Sequence, residues 1–142
     1  MISDSVGILL VDDDEVDALN VQRAFAKVNI RNPLFRAHDG LEAIKMLRGE
    51  NGYELLHPTP KIILLDINMP RMNGIEFLRE LRADARLSML NVVVLTTSNE
   101  DQDRVDAYKL NVAGYILKPV VPGKFIDAIS TLNLYWNLIE LP

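Results

Sequence analysis

The sequence predicts a doubly wound α/β fold, a five-stranded parallel sheet with helices on both faces, and three observations lead to it. Short apolar runs of strand length recur at Ile8 to Val11, Leu34 to Ala37, Ile62 to Leu65, Val92 to Leu95 and Tyr115 to Leu117. These runs lack polar alternation, which is the mark of strands covered on both faces. Stretches of helical periodicity separate them, and strands that alternate with helices need crossover connections, hence a parallel sheet.

The helices follow in order. Ala18, Val21, Phe25 and Val28 fall at three- and four-residue spacings and form one face of a first helix. Leu41, Ile44 and Leu47 give a second helix over Gly40 to Leu47, and Phe77, Leu78 and Leu81 a third over Gly74 to Leu81. Val105, Tyr108 and Val112 mark a sparser, more polar fourth, and a final helix begins near Pro122. Between the second helix and the third strand, Gly49 to Pro60 holds two glycines and two prolines and reads as an inserted surface loop.

With 142 residues and 49% hydrophobic composition, the chain is expected to be a single domain (1–142) with a sizeable core. A net charge of -5 lacks the clustered Lys and Arg that phosphate backbones require, so nucleic acid is not an expected partner. No cysteine is present, so the core is expected to hold by packing alone. The apolar runs are too short to span a bilayer, and a soluble, cytoplasmic protein is expected.

In doubly wound sheets ligands bind beyond the carboxyl ends of the strands, so the residues just after each run carry the functional reading. The first strand ends in Asp12, Asp13 and Asp14, followed by Glu15. Asp14 is expected to cap the following helix, a role that cannot account for all four acids. The third strand ends in Asp66, at the same edge, where it can converge with Asp12 and Asp13. Two carboxylates about 5 Å apart at an effective dielectric near 20 repel by about 3 kcal/mol, a cost that a divalent cation removes. Hard oxygens favour magnesium or manganese, although isolated acids after buried strands are often solvated loop residues. The fourth strand ends in Thr96, Thr97 and Ser98, the fifth in Lys118 and Pro119. A carboxylate, a metal, a hydroxyl and an ammonium are the parts that bind and accept a phosphoryl group. Taken singly, Thr96 is a satisfied hydroxyl, Lys118 a solvated charge, and Tyr115 an edge-strand aromatic packed on the fourth helix.

Together the motifs Ile8-Leu9-Leu10-Val11-Asp12-Asp13, Leu65-Asp66-Ile67-Asn68-Met69-Pro70 with Asn73-Gly74, Val94-Leu95-Thr96 and Gly114-Tyr115-Ile116-Leu117-Lys118-Pro119 resemble the receiver domain of two-component response regulators. The resemblance covers nearly the whole chain, each motif at a strand end and in the family's order. It implies a stand-alone response regulator with Asp66 as phosphoacceptor, Asp13 as a direct metal ligand, Asp12 as a ligand through water, and the Asn68 backbone carbonyl completing the coordination of Mg2+ or Mn2+. It implies that Lys118 pairs with Asp66 or its phosphoryl oxygens, that Thr96 bonds the arriving phosphoryl group, and that Tyr115 is the aromatic switch. The Lys118-Pro119 peptide bond is expected to be cis. Phosphoryl transfer from a histidine kinase, catalysed largely by the receiver itself and followed by slow hydrolysis, would change the surface of the fourth helix, fifth strand and fifth helix.

More narrowly, the loop Asn51 to Pro60, the run Val92 to Ser98 and the apolar end Leu141-Pro142 look like the single-domain regulators that partner cyanobacterial phytochrome kinases. That resemblance implies a phytochrome kinase as partner and a homodimer. Beyond Phe125 one helical stripe cannot hold all the apolar residues. Phe125, Ile129, Leu132 and Trp136 can face the sheet, which leaves Tyr135, Leu138, Ile139 and Leu141 as the expected dimer interface. His57, between prolines, is assigned no role.

Three other readings are weaker. A phosphatase of the haloacid dehalogenase class also uses Asp-x-Asp after its first strand, as Asp12 and Asp14 allow, but needs a second acidic cluster after its lysine. Here only Asp127 and Glu140 follow Lys118. A flavodoxin needs a phosphate loop where this chain has four acids. A pseudo-receiver that binds partners without phosphorylation would have no use for the intact acid set.

Overall fold

A computed structural model describes residues 7–27, 32–56 and 60–131. The elements alternate as β1 (Gly7–Val11), α1 (Glu15–Lys27), β2 (Leu34–Ala37), α2 (Gly40–Arg48), β3 (Pro60–Asp66), α3 (Gly74–Ala83), β4 (Asn91–Thr96), α4 (Asn99–Ala107), β5 (Gly114–Leu117) and α5 (Pro122–Thr131). All pairings are parallel and the strand order is β2-β1-β3-β4-β5, so the doubly wound sheet is present, with β3 at its centre.

Successive strand residues point to opposite faces, and here both faces are apolar. Leu9, Val11, Ile63, Leu65, Val92 and Val94 pack with Ile44 and Leu47 of α2, Phe77, Leu78 and Leu81 of α3 and Val105 of α4. Ile8, Leu10, Ile62, Leu64, Val93, Leu95 and Ile116 pack on the other side with Ala18, Val21 and Phe25 of α1 and Phe125 of α5. The Phe25 and Phe125 rings meet edge to face at 5.6 Å, which joins α1 to α5 over that second core.

The fourth helix is shorter than its apolar spacing suggests. It ends at Ala107, Tyr108 caps it with half its surface exposed, and Val112 lies in the following loop. Lys109 and Asn111 both take left-handed backbone conformations, with φ of 53° and 57°, which a continuing helix excludes. Val28 of the predicted first-helix face lies outside the described residues. In the Gly49 to Pro60 segment, Gly49 closes α2 in a left-handed cap at φ 67°, the Tyr53 hydroxyl donates to Glu42 at 2.9 Å, and β3 starts at Pro60 itself.

Arg82, near the end of α3, fixes the sheet edge opposite the strand carboxyl ends. Its guanidinium donates to the carbonyls of Leu110 at 2.8 Å, Ser88 at 2.8 Å, Leu90 at 2.7 Å and Asn111 at 3.0 Å. One rigid fork thereby satisfies carbonyls of two separate loops. Among the described residues no helix is long and apolar enough to cross a membrane.

Candidate functional site

Register brings the strand ends together. Val11 pairs with Leu65, Asp66 with Leu95 and Thr96 with Leu117, so Asp12, Asp66, Thr96 and Lys118 follow one another along the carboxyl edge. Asp12 is fully buried and Asp13 exposed. Arg36 of β2 holds the Asp12 carbonyl through two donors at 3.2 and 2.8 Å and reaches Glu15 at 2.7 Å. Asp12 Oδ1 accepts the Asp14 N–H at 2.9 Å. Asp14 in turn accepts the Val16 and Asp17 N–H groups at 2.8 and 3.2 Å, which is the helix cap expected of it.

Asp66 ends β3, is 5% exposed, and accepts the Asn68 N–H at 3.2 Å. The sharp turn behind it needs Gly74: a Cβ there would lie 2.7 Å from the Asp66 carbonyl oxygen and 2.7 Å from the Ile67 Cα. The Gly74 N–H donates to the Ile67 carbonyl at 2.9 Å, and Asn73 and Glu76 close the start of α3 with a capping box.

Asp12, Asp13 and Asp66 each offer an oxygen within 4.8 Å of the others. Asp12 Oδ2 is buried without a hydrogen-bond partner, although the Lys118 ammonium lies 3.2 Å away as a bare charge contact. An orphaned buried carboxylate oxygen beside two further hard oxygens fits a small divalent cation. Burial pushes the Asp12 carboxyl up to about 6, aided by the charge of Asp66 and opposed by the Asp14 N–H and Lys118. Burial likewise raises Asp66, against the opposing pull of Lys118 and the Asn68 N–H.

Lys118 leaves β5 and turns inward, and its peptide bond to Pro119 is cis. Its ammonium touches three acids, Asp17 at 2.8 Å, Asp12 at 3.2 Å and Asp66 at 3.4 Å. Burial alone would lower its pKa, but the Asp17 hydrogen bond and the charges of Asp12 and Asp66 outweigh that and raise it. Thr96 is almost fully buried. Its hydroxyl lies 3.0 Å from the Ser98 carbonyl and 3.3 Å from Asp101 Oδ2, and it accepts the Ser98 N–H at 3.2 Å. The Asn68 side chain also donates to Asp101 Oδ2, at 3.1 Å. Tyr115 points its hydroxyl to Asp106 of α4, which, after burial, raises the phenol's pKa.

All the acids, the lysine and the threonine singled out in the sequence therefore meet at one edge, and Tyr115 faces α4. The residues Tyr135, Leu138, Ile139 and Leu141, and His57, lie outside the described residues. Two acids at the edge escaped the sequence reading. Asp17 carried a usable signal: it stands four residues before Val21 on the buried face of α1, a charge in an apolar stripe that needs a partner. Asp101 carried none, since it sits in the acid-rich first turn of the polar α4.

Comparison with known proteins gives the same assignment. A model of the response regulator receiver domain matches residues 8–130. Response regulator Rcp1 of Synechocystis is 39% identical over 136 residues, 95% of this chain and 92% of that protein. The solved Mn(2+)-bound form of Rcp1 superimposes with a TM-score of 0.78 at 33% identity, covering 96% of this chain and 97% of that one. The bacteriophytochrome response regulator AtBRR gives 0.81 at 34% identity over 96% and 98% of the two chains. The phosphorylated cyanobacterial phytochrome response regulator RcpA gives 0.77 at 32% identity over 93% and 94%. From the acid edge, the fold order and these matches together, the chain belongs to the response regulator receiver domain family.

Proposed function

We propose that the protein is a phosphoacceptor of a two-component phosphorelay, in which Asp66 takes a phosphoryl group from a phosphohistidine of a histidine kinase. The observation that carries this reading is the convergence of Asp66 with a half-buried lysine 3.4 Å away and two further acids, one with an orphaned oxygen. Asp12, Asp13, Asp66 and the Asn68 backbone carbonyl would hold Mg2+ or Mn2+. The cation supplies charge neutralisation for the phosphoryl oxygens.

The chain's own groups do the rest. A carboxylate oxygen of Asp66 attacks phosphorus as the P–N bond breaks; the imidazole keeps the bonding electron pair and takes up a proton, and a P–O bond forms. Lys118, already held at the site by Asp17, lies within reach of the new phosphoryl oxygens. Thr96 offers its hydroxyl to the same group and Tyr115 follows as the switch, so the output is an altered binding surface of α4, β5 and α5. The receiver catalyses this transfer to itself and the slow hydrolysis that resets it.

The test is incubation with acetyl phosphate, with and without magnesium, followed by intact mass. One added phosphoryl group that requires magnesium is expected, and an unchanged mass in both arms would reject the reading.

The likeness to the bacteriophytochrome response regulator AtBRR and the cyanobacterial phytochrome response regulator RcpA supports a phytochrome-type histidine kinase as the donor, and a cytoplasmic site of action is proposed with it. The apolar residues Tyr135, Leu138, Ile139 and Leu141 support a homodimer. Sedimentation velocity should give a dimer for the wild type and a monomer after truncation beyond Leu134. A wild-type monomer at micromolar concentration would dismiss the dimer.

A further inference from the structure

We propose that Asp101 is a positioning residue that latches the switch in its unphosphorylated arrangement, by holding the side chains of Thr96 and Asn68 on α4. This inference rests on Asp66 being the phosphoacceptor.

Asp101 is the third residue of α4 and only 7% exposed, an uncommon place for an acid in a helix whose other buried residue is Val105. Its backbone N–H donates to the Ser98 hydroxyl that caps the helix, which fixes the carboxylate at the helix start. Oδ1 takes the Arg104 guanidinium at 3.1 Å. Oδ2 is shared by two donors from other elements, the Asn68 amide at 3.1 Å and the Thr96 hydroxyl at 3.3 Å. Asn68 lies two residues beyond Asp66, and Thr96 ends the strand beside it. One buried carboxylate thus ties β4 and the loop after Asp66 to the start of α4.

The Thr96 hydroxyl has a single proton. Both acceptors within its reach, the Ser98 carbonyl and Asp101 Oδ2, lie on the α4 side. A phosphoryl group on Asp66 can gain that proton only when Thr96 gives up those acceptors. The Asp101 carboxylate therefore competes with the phosphoryl group for the same hydroxyl, and releasing it also frees Asn68 and the first turn of α4. Removing the competitor favours the phosphoryl-bound arrangement by roughly three- to tenfold, the range of one such hydrogen bond.

Trifluoroberyllate with magnesium serves as an unreactive probe of the phosphoryl-bound state, with affinity read by titration calorimetry. Asp101→Ala should bind it roughly three- to tenfold more tightly than wild type, and Asp101→Asn, which keeps the side-chain shape and one acceptor, should shift the same way by less. The gain should shrink markedly in a Thr96→Ala background. Loss of a nearby negative charge alone would tighten binding equally with or without Thr96, so an undiminished gain in that background overturns the latch, as does equal affinity of wild type and variants. Should Asp101→Ala fail to fold by circular dichroism, the Asp101→Asn comparison decides. A wild type that neither binds trifluoroberyllate nor gains mass with acetyl phosphate removes the phosphoacceptor reading and the latch together, whereas a wild type that does both, with variants that match it, removes the latch alone.

Discussion

Asp66→Asn should take up no phosphoryl group from acetyl phosphate, and in metal-free buffer it should melt at a higher temperature than wild type. The first half follows from the nucleophile: an amide oxygen carries no charge with which to attack phosphorus. The second follows from the surroundings. Asp66 is buried, its carboxyl is raised by that burial, and it shares the edge with Asp12 and Asp13. Removing its charge relieves the cost of burying an anion and, to a lesser degree, a repulsion, while Lys118 keeps Asp17 and Asp12 as partners. Relief of about 3 kcal/mol from one such close pair at an effective dielectric near 20, partly offset by the lost Lys118 attraction, leaves an expected gain of about 1–2 kcal/mol. In a domain of this size that corresponds to a rise of roughly 3–6 °C. Intact mass and a thermal melt read both halves. Label that persists on Asp12 or Asp13 at the wild-type level would sink the assignment, and a lower melting temperature would show that Asp66 pairs with Lys118 more than it repels its neighbours.

Without metal, stability should fall as pH rises from about 4 through about 6, and magnesium should offset about half of that fall. The sign comes from Asp12, whose carboxyl stands at about 6 in the folded chain against an ordinary 3.8. Between those values the folded state binds more protons than the unfolded one, so unfolding free energy decreases with pH. The stability associated with the protonated acid is fully present below the unfolded value and lost as pH passes the folded one. A shift of that size is worth about 3 kcal/mol. Other carboxylates, such as Glu42 and Asp84, are lowered by folding and act with the opposite slope. The quantity to measure is therefore the difference between wild type and Asp12→Asn in urea denaturation at several pH values in EDTA. Magnesium at ten times its dissociation constant adds about 1.4 kcal/mol near neutral pH through binding to the folded state alone. A difference curve that stays flat from pH 4 to 7, or wild-type stability indifferent to millimolar magnesium, would contradict the acid site as a cation site.

Much of this edge is legible in the chain because a parallel sheet turns sequence position into spatial position. Once Val11, Leu65, Leu95 and Leu117 are strand residues, Asp12, Asp66, Thr96 and Lys118 have nowhere else to go. The apolar runs were readable for the same reason, since buried strands carry no polar alternation to blur their ends. What local pattern does not reveal is which helix-borne groups lean into the site. Asp17 reaches Lys118 from the first turn of α1, and Asp101 reaches Thr96 and Asn68 from the first turn of α4, contacts fixed by how each helix packs. The end of α4 was misjudged because Tyr108 and Val112 keep helical spacing from Val105 while Lys109 and Asn111 break the backbone path. The sequence of β2 likewise gave no hint that Arg36 would cradle the Asp12 carbonyl.

The Arg82 fork has a mechanical meaning for the helix that carries the latch. Its donors grip the Leu110 and Asn111 carbonyls just past the far end of α4 and, with the same guanidinium, the Ser88 and Leu90 carbonyls that lead into β4. The near end, at Ser98 and Asp101, is held by hydrogen bonds with the side chains of Thr96 and Asn68 beside Asp66. The helix is thus a short lever with a riveted fulcrum behind it and a releasable catch in front. On the proposed latch, displacement begun at the catch would swing the front of the rod and leave its back in place, and the surface that moves furthest would be the one nearest Asp66.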